Sequence, residues 1–392
     1  MSRTSASAPT RRRCLVLLLA APVLALPLAG SHAAAAPDGP PTGASAPGGR
    51  PYVVTLRVGA VPRGVAARFQ ASPHHVYDTA LNGFAAHLTD GQLRRLQRDP
   101  DVLALEADQA VHVDATQAVT VGGGLHGLDR IDQRALPLSG GYTTTRSGSG
   151  VRAYVIDTGI ATGHPDLGNR ATNVFDAFRG SGQDCNGHGT HVAGTIGAAT
   201  YGVAKAAALR GVRVLDCAGS GATSGIIAGV DWVARNHVKP AVANLSLGGS
   251  KSAALNTATT SLVNAGVFVS VAAGNENQAA CNVSPASASG VLTVAASDKT
   301  DARAPFSNHG SCVELYAPGA AVTSTWLNGT TATISGTSMA SPHVAGVAAL
   351  YKAYGDAPSG TVNTWVLNNA TRDAVRSNVS GTPNRLLFKG TL

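Results

Sequence analysis

The chain has 392 residues, a formal net charge of +8 from 30 Lys and Arg against 22 Asp and Glu, 46 glycines and only 5% aromatic side chains. Eleven basic and eight acidic side chains precede residue 115, leaving 19 against 14 after it, and no basic run follows Arg13. This thin excess argues against a nucleic-acid partner and reads as surface solubility with some attraction for acidic substrates; no internal repeat with a period of roughly 20 to 50 residues marks a solenoid.

Arg11-Arg12-Arg13 precedes the apolar run Cys14 to Ala29, interrupted by Pro22 and Pro27, and Ala33-Ala34-Ala35-Ala36 follows. A basic, an apolar and a small-residue segment in that order predict a signal peptide over residues 1–36, hence export, with a twin-arginine route open. No other stretch reaches about 18 continuous apolar residues, so the mature chain is expected to have no membrane segment. Pro-, Gly- and Ala-rich residues 37–50 read as a flexible spacer.

A small α+β unit is expected next. Tyr52 to Arg57 alternates as a strand does, His74–Tyr77 and Phe84–Leu88 can pair as two more, Asp90 to Arg98 has helical character, and Val102 to Glu106 returns to strand. About 278 residues then remain after residue 114, ample for one large core.

In that larger part, Val151 to Ile156 is a short, mostly apolar, β-prone run consistent with a buried parallel strand ending in Asp157. Asn186-Gly187-His188-Gly189-Thr190-His191 leads into Val192 to Ile196, small and apolar enough for a buried helix, with Gly187 and Gly189 allowing a tight turn around His188. Val267 to Ala273 reads as another core strand ending in Gly274-Asn275. Gly336-Thr337-Ser338-Met339-Ala340 opens the apolar stretch Ala340 to Tyr354, whose Pro342 is expected within the first helical turn, placing Ser338 at the positive end of a helix.

A serine hydroxyl needs an imidazole to take its proton and a carboxylate to orient that imidazole. Asp157, His188 and Ser338 supply these groups, each framed by small residues, in the order Asp, His, Ser. That order departs from His, Asp, Ser and from Ser, Asp, His, and Ser338 lacks the second glycine of a G-x-S-x-G elbow. Alone, Asp157 could cap the next element, Asn275 could turn the chain and Ser338 could cap a helix; three co-occurring motifs carry more. Over about residues 115–392 the chain resembles the subtilisin-like serine proteases, in particular the proteinase K and aqualysin branch.

The resemblance implies an α/β subtilisin-like domain with a mainly parallel central sheet flanked by helices, at residues 115–392, preceded by a small ferredoxin-like inhibitory propeptide at 51–114. Leu81-Asn82-Gly83-Phe84-Ala85-Ala86 and Asp99-Pro100-Asp101-Val102 carry the second likeness. It implies that the tail near Val111 to Asp114 fills the substrate cleft, that the enzyme cuts itself close to Asp114-Ala115, and that the product is a secreted monomeric endopeptidase acting on polypeptides. Gly381 to Phe388 resembles the family's last strand, so no carboxyl-terminal prodomain is expected.

By the same likeness, Asn275 and the Ser338 N–H form an oxyanion hole, Ser246, Leu247 and Gly248 face Ala272, Ala273 and Gly274 across the first specificity pocket, and Gly219, Ser220 and Gly221 form the other binding edge. Neither pocket wall is charged, which favours apolar or aromatic side chains before the scissile bond, with modest selectivity. Thr223 stands where many relatives carry an aromatic residue, and His126 where they often carry tryptophan. A structural calcium site is implied at the carbonyls of Ser289 and Val291 with the carboxylate of Glu314, and no catalytic metal.

Four cysteines besides Cys14 allow three pairings in an exported chain. The resemblance implies Cys185 with Cys217 and Cys281 with Cys312, each worth about 3 kcal/mol in the chain-entropy model. Two other functions fit parts of the chain. Cys185, His188 and His191 form a C-x2-H-x2-H cluster that could hold zinc, but no glutamate lies between Glu106 and Glu276 to serve as the base. A non-catalytic binding protein on the same fold is disfavoured because all four catalytic positions are filled. His191 and His343 read as packing or hydrogen-bonding residues.

Overall fold

The computed structural model describes residues 49–113 and 125–392. The expected signal peptide, Cys14, most of the spacer and the expected cut near Asp114-Ala115 lie outside them. Arg50, assigned above to the spacer, is instead the first residue of a strand.

Residues 50–107 form an α+β unit: β1 (Arg50–Leu56), α1 (Pro62–Arg68), β2 (Pro73–Tyr77), β3 (Gly83–Leu88), α2 (Asp90–Leu96) and β4 (Val102–Ala107). The four strands lie antiparallel in the order β2-β3-β1-β4. Alternation along the strands decides what each face buries. Val54, Leu56, Phe84 and Leu88 pack on Val65, Ala66, Leu93 and Leu96 of the unit's own helices, while Val53, Tyr77 and Ala85 join the core of the larger domain. Helix α2 starts at a capping box in which Thr89 and Gln92 satisfy each other's backbone N–H. Helix α1 has no such signal, since Val61 provides no side-chain cap and Gly64 lies inside it, which is why the periodicity did not reveal it.

Strand β5 (Ala110–Val113) leaves this unit and joins the larger domain. There follow α3 (His126–Asp132), β6 (Arg152–Asp157), β7 (Ala171–Asp176), α4 (His188–Gly197), β8 (Ala208–Arg213), β9 (Ser220–Ala222), α5 (Thr223–Asn236), β10 (Ala241–Leu245), β11 (Leu247–Ser250), α6 (Ala253–Asn264), β12 (Phe268–Ala272), β13 (Val283–Ser284), β14 (Leu292–Ser297), β15 (Leu315–Pro318), β16 (Val322–Thr325), β17 (Thr331–Ile334), α7 (Thr337–Lys352), α8 (Ser359–Asn369), β18 (Thr371–Arg372) and β19 (Arg385–Leu386). A nine-stranded sheet runs β18-β19-β15-β14-β12-β10-β6-β8-β7, parallel except at the β18–β19 edge.

Both faces of this sheet are covered, so its central strands read as near-continuous apolar runs. Ala153, Val155 and Val242 face α4 and α7; Tyr154, Ile156, Ala243 and Val271 face α5 and α6. The register aligns Ile156 with Leu245 and Leu245 with Val271. Asp157, Ser246 and Ala272 therefore emerge side by side at the carboxyl edge of three adjacent strands, where open α/β sheets place their ligand sites.

Candidate active site

Asp157 ends β6 and is wholly buried. Its Oδ1 meets His188 Nδ1 at 2.8 Å and accepts the Thr158 N–H at 2.7 Å. His188 is the first residue of α4, and the turn before it can only be glycine for two reasons. Gly187 has a φ of +107°, and a Cβ there would lie 2.4 Å from the Trp326 ring. Gly189 is equally confined, since its Cβ would approach the Gly159 carbonyl to 2.1 Å.

Ser338 is the second residue of α7 and fully buried. Its hydroxyl donates to the Ser246 carbonyl at 3.0 Å, while the Ser246 hydroxyl donates to the Ser338 carbonyl at 2.8 Å. Pro342 is the sixth residue of α7, in its second turn and not in the first as the sequence led us to expect. With no N–H to offer the carbonyl four residues back, proline leaves that of Ser338 to Ser246. The helix tolerates the proline because another segment supplies the missing donor.

Asn275 follows β12 by two residues beyond Ala273. Its Oδ1 accepts from both the N–H and the hydroxyl of Thr337, at 2.9 and 3.0 Å, and the Thr337 hydroxyl accepts the Gly274 N–H at 3.0 Å. Since a backbone N–H can only donate, this pairing fixes which branch of the amide is oxygen and leaves the Asn275 NH2 facing away from Thr337.

Beside these residues, β5 is the middle strand between β9 and β11, antiparallel to both. His112 pairs with Ser220 and with Gly248, and Val113 with Leu247; Val113 N–H donates to the Gly219 carbonyl at 3.0 Å. The expected binding segments Gly219 to Gly221 and Leu247 to Gly248 thus flank the chain's own residues 110–113, with Val111 buried between them. Ala272, Ala273 and Gly274 are buried at the neighbouring strand end. Glu276, which sequence reasoning passed over, lines a cleft of about 530 Å³ beside β5 together with His112 and Gly249.

The small α+β unit also reaches the larger domain through carboxylates. Asp108 accepts the N–H and hydroxyl of Ser224 at the start of α5 (2.9 and 2.6 Å), and Glu106 accepts the Ser252 hydroxyl and Ala254 N–H at the start of α6 (2.8 and 2.9 Å). Two helix amino termini, each a partial positive charge with unpaired N–H groups, are thereby capped in trans. Asp231 of α5 returns the favour, accepting the N–H groups of Thr79 and Ala80.

The disulfides are Cys185–Cys217 and Cys281–Cys312. Cys185 is therefore no zinc ligand, and His191 places Nε2 3.1 Å from the Val322 carbonyl. Burial drives His191 down to about 3 and His343 down to about 4; His343 sits with Nδ1 2.8 Å from the Met339 carbonyl. Both stay neutral packing residues near the site. Among the described residues no cluster of three or more His, Cys, Asp or Glu side chains is arranged to hold a metal. Glu314 is part-buried, accepts the Thr293 N–H at 2.6 Å, and is pushed up to about 7 by burial. The Ser289 carbonyl accepts the Thr260 hydroxyl, and Val291 is buried.

Residues 148–386 match the family model described as the subtilase family, Peptidase_S8, and residues 55–114 match peptidase inhibitor I9. The chain belongs to the subtilase family. It is 54% identical to the "Extracellular serine proteinase" of Thermus sp. (strain Rt41A) over 80% of this chain and 77% of that one, and 46% identical to "Alkaline serine protease ver112" of Corniculantispora psalliotae over 80% and 83%. Among solved structures, that of a cold-adapted subtilisin-like serine proteinase is 49% identical, covers 68% of this chain and 99% of its own, and superposes with a TM-score of 0.66. The protein is thus a subtilisin-like serine proteinase preceded by an I9-type inhibitor segment.

Proposed function

We propose that the chain is a secreted, self-processing endopeptidase in which Ser338 is the nucleophile, His188 the general base and acid, and Asp157 the group that orients His188. The observation that carries this reading is the buried Asp157–His188 hydrogen bond at the strand edge to which Ser246 ties Ser338, the second residue of α7. Ser338 Oγ leaves the Ser246 carbonyl, gives its proton to His188 and bonds to the carbonyl carbon of the scissile peptide. Negative charge then develops on the carbonyl oxygen, and the Asn275 NH2 with the Ser338 N–H receives it at the amino terminus of α7. His188 passes the proton to the leaving amine, and water repeats the sequence on the acyl-enzyme.

Residues 1–36 serve as the export signal, about 51–114 as the propeptide and 115–392 as the peptidase. Strand β5 between β9 and β11 supports a propeptide that inhibits by lying where an extended substrate lies. Its next peptide bonds, near Asp114-Ala115, are the ones the enzyme cuts in maturing. Uncharged Leu247, Ala272 and Ala273 favour apolar or aromatic side chains before the scissile bond. Glu314 fits a structural calcium: a carboxylate that burial makes costly to ionise is the kind of oxygen ligand a hard cation compensates, with the carbonyls of Ser289 and Val291 as its companions.

The test compares the full chain with its Ser338→Ala variant, following intact mass near residue 115 and hydrolysis of a denatured protein. Maturation and hydrolysis in the parent, both lost in the variant, are expected. A variant that matures and hydrolyses like its parent would remove Ser338 from the mechanism.

A further inference from the structure

The residue that precedes His188 must be Gly187, for the reasons of backbone angle and Trp326 given above, so the amino terminus of α4 has no cap of its own. Asn186 Oδ1 accepts the His188 N–H at 3.2 Å, and the next two N–H groups are met by Thr158 and Asp184. Thr158, directly after Asp157, accepts the Gly189 N–H on its hydroxyl at 2.9 Å. Asp184 accepts the Thr190 N–H and hydroxyl on Oδ2 at 2.9 and 2.6 Å. Its Oδ1 accepts the Asn186 and Gly187 N–H groups and the Thr158 hydroxyl, each at 2.9 Å.

One carboxylate, only 9% exposed, thus takes five hydrogen bonds and is paired with no cation among the described residues. What balances its charge is the helix terminus and the donors gathered around it. The five donors come from both sides of the Asp157–His188 bond. Through Thr158 the carboxylate holds the end of β6, and through Gly187 and Thr190 it holds the start of α4. We infer that Asp184 is a positioning residue for the hydrolytic reaction, fixing the strand end that carries Asp157 against the helix start that carries His188. Thr158 is the link, donating its hydroxyl proton to Asp184 while accepting from Gly189. This inference rests on the triad proposed above.

Asp184→Asn keeps the shape but turns an NH2 toward a ring of donors. Active sites are counted by stoichiometric reaction with a serine-directed phosphonylating reagent, so loss of folded enzyme is separated from loss of rate. Per active site, kcat is expected to fall about 10- to 100-fold, the scale of a small misplacement of reacting groups, while KM stays within about threefold. Among the described residues the proposed binding strands β9 and β11 donate no hydrogen bond to Asp184, which is why KM should hold. Thr158→Val should lower kcat in the same way and Thr158→Ser should restore it. Combining Asp184→Asn with Thr158→Val should cost less than the sum of the two, because they break one network.

A purely structural role would lower the number of titratable sites or the melting temperature and leave kcat per site unchanged; that result overturns the inference. If Asp184→Asn does not mature, the Thr158 pair decides, and equal kcat for Thr158→Val and Thr158→Ser overturns it as well. A Ser338→Ala control that still hydrolyses would sink the triad itself. A silent control beside a fully active Asp184→Asn would sink only the positioning role.

Discussion

Ser246 and Ser338 exchange hydrogen bonds, each hydroxyl donating to the other's carbonyl, at 2.8 and 3.0 Å. The exchange exists because Pro342 cannot donate to Ser338 along the helix. It fastens the end of β10 to the start of α7, so Ser246, proposed as a wall of the substrate pocket, also sets where Ser338, the proposed nucleophile, lies.

Ser246→Ala should therefore affect more than the pocket. It leaves the Ser338 carbonyl and the Asn244 amide, which donates to the Ser246 hydroxyl at 2.8 Å, without that partner. A loss of about 1–3 kcal/mol is expected for such buried groups, with kcat down roughly tenfold. Calorimetry and steady-state kinetics on the matured enzyme measure both.

Asn275→Ala should lower kcat by about 100- to 1000-fold with little change in KM, as removal of one oxyanion donor does. Thr337→Val tests the support behind it, since Thr337 receives the Gly274 N–H and donates to Asn275 Oδ1. About a tenfold loss in kcat is expected. Inhibition constants for a peptide boronate should rise in step with kcat loss for both variants; a fall in kcat without that rise would place the defect elsewhere.

Glu106→Ala and Asp108→Ala each remove a cap that the small unit lends to a helix of the peptidase domain. In the full-length Ser338→Ala zymogen each should lower the unfolding free energy by about 1 kcal/mol. Because the caps serve different helices, the double variant should lose close to the sum. Chemical denaturation of the four zymogens measures this, and two silent single variants would show that the carboxylates are incidental.

Glu314 predicts a pH dependence with a definite sign. Its folded value is raised to about 7 from an ordinary value of 4.5 by burial. In chelator its contribution to stability is therefore complete below about pH 4.5 and declines as pH rises through 7, since the unfolded chain ionises first. Calcium should restore stability above pH 7 and do little below 5. Glu314→Gln should flatten the decline and abolish the calcium response, read as melting temperature against pH; an unchanged calcium response would remove Glu314 from the site.

The strands that carry chemistry were legible because they are buried on both faces: Val151 to Ile156 and Val267 to Ala273 have no polar residue to confuse their period except Tyr154, Arg152 and Ser270. Asp157, His188 and Ser338 stood out because small residues crowd each one. Helix α1 escaped because it is seven residues long, uncapped and interrupted by Gly64. Asp184 escaped for a different reason. An aspartate four residues before a histidine resembles any loop residue, and only the fold shows that its five donors come from segments as far apart as Thr158 and Thr190. Pro342 misled because its tolerated position depends on Ser246, 96 residues away in sequence, not on its own helix.

Strands β9 and β11 have open edges wherever β5 is absent, and what they offer is main-chain hydrogen bonding with few demands on side chains. A polypeptide satisfies them by lying flat and fully stretched over several residues, which a residue locked in a helix or tight turn cannot do. Under the proposed binding mode, selection falls first on pliability, and slack, unravelled chains are favoured over well-folded ones. The same criterion bears on the enzyme's own copies, whose nine-stranded sheet and its covering helices are tied up and cannot be drawn out into the cleft.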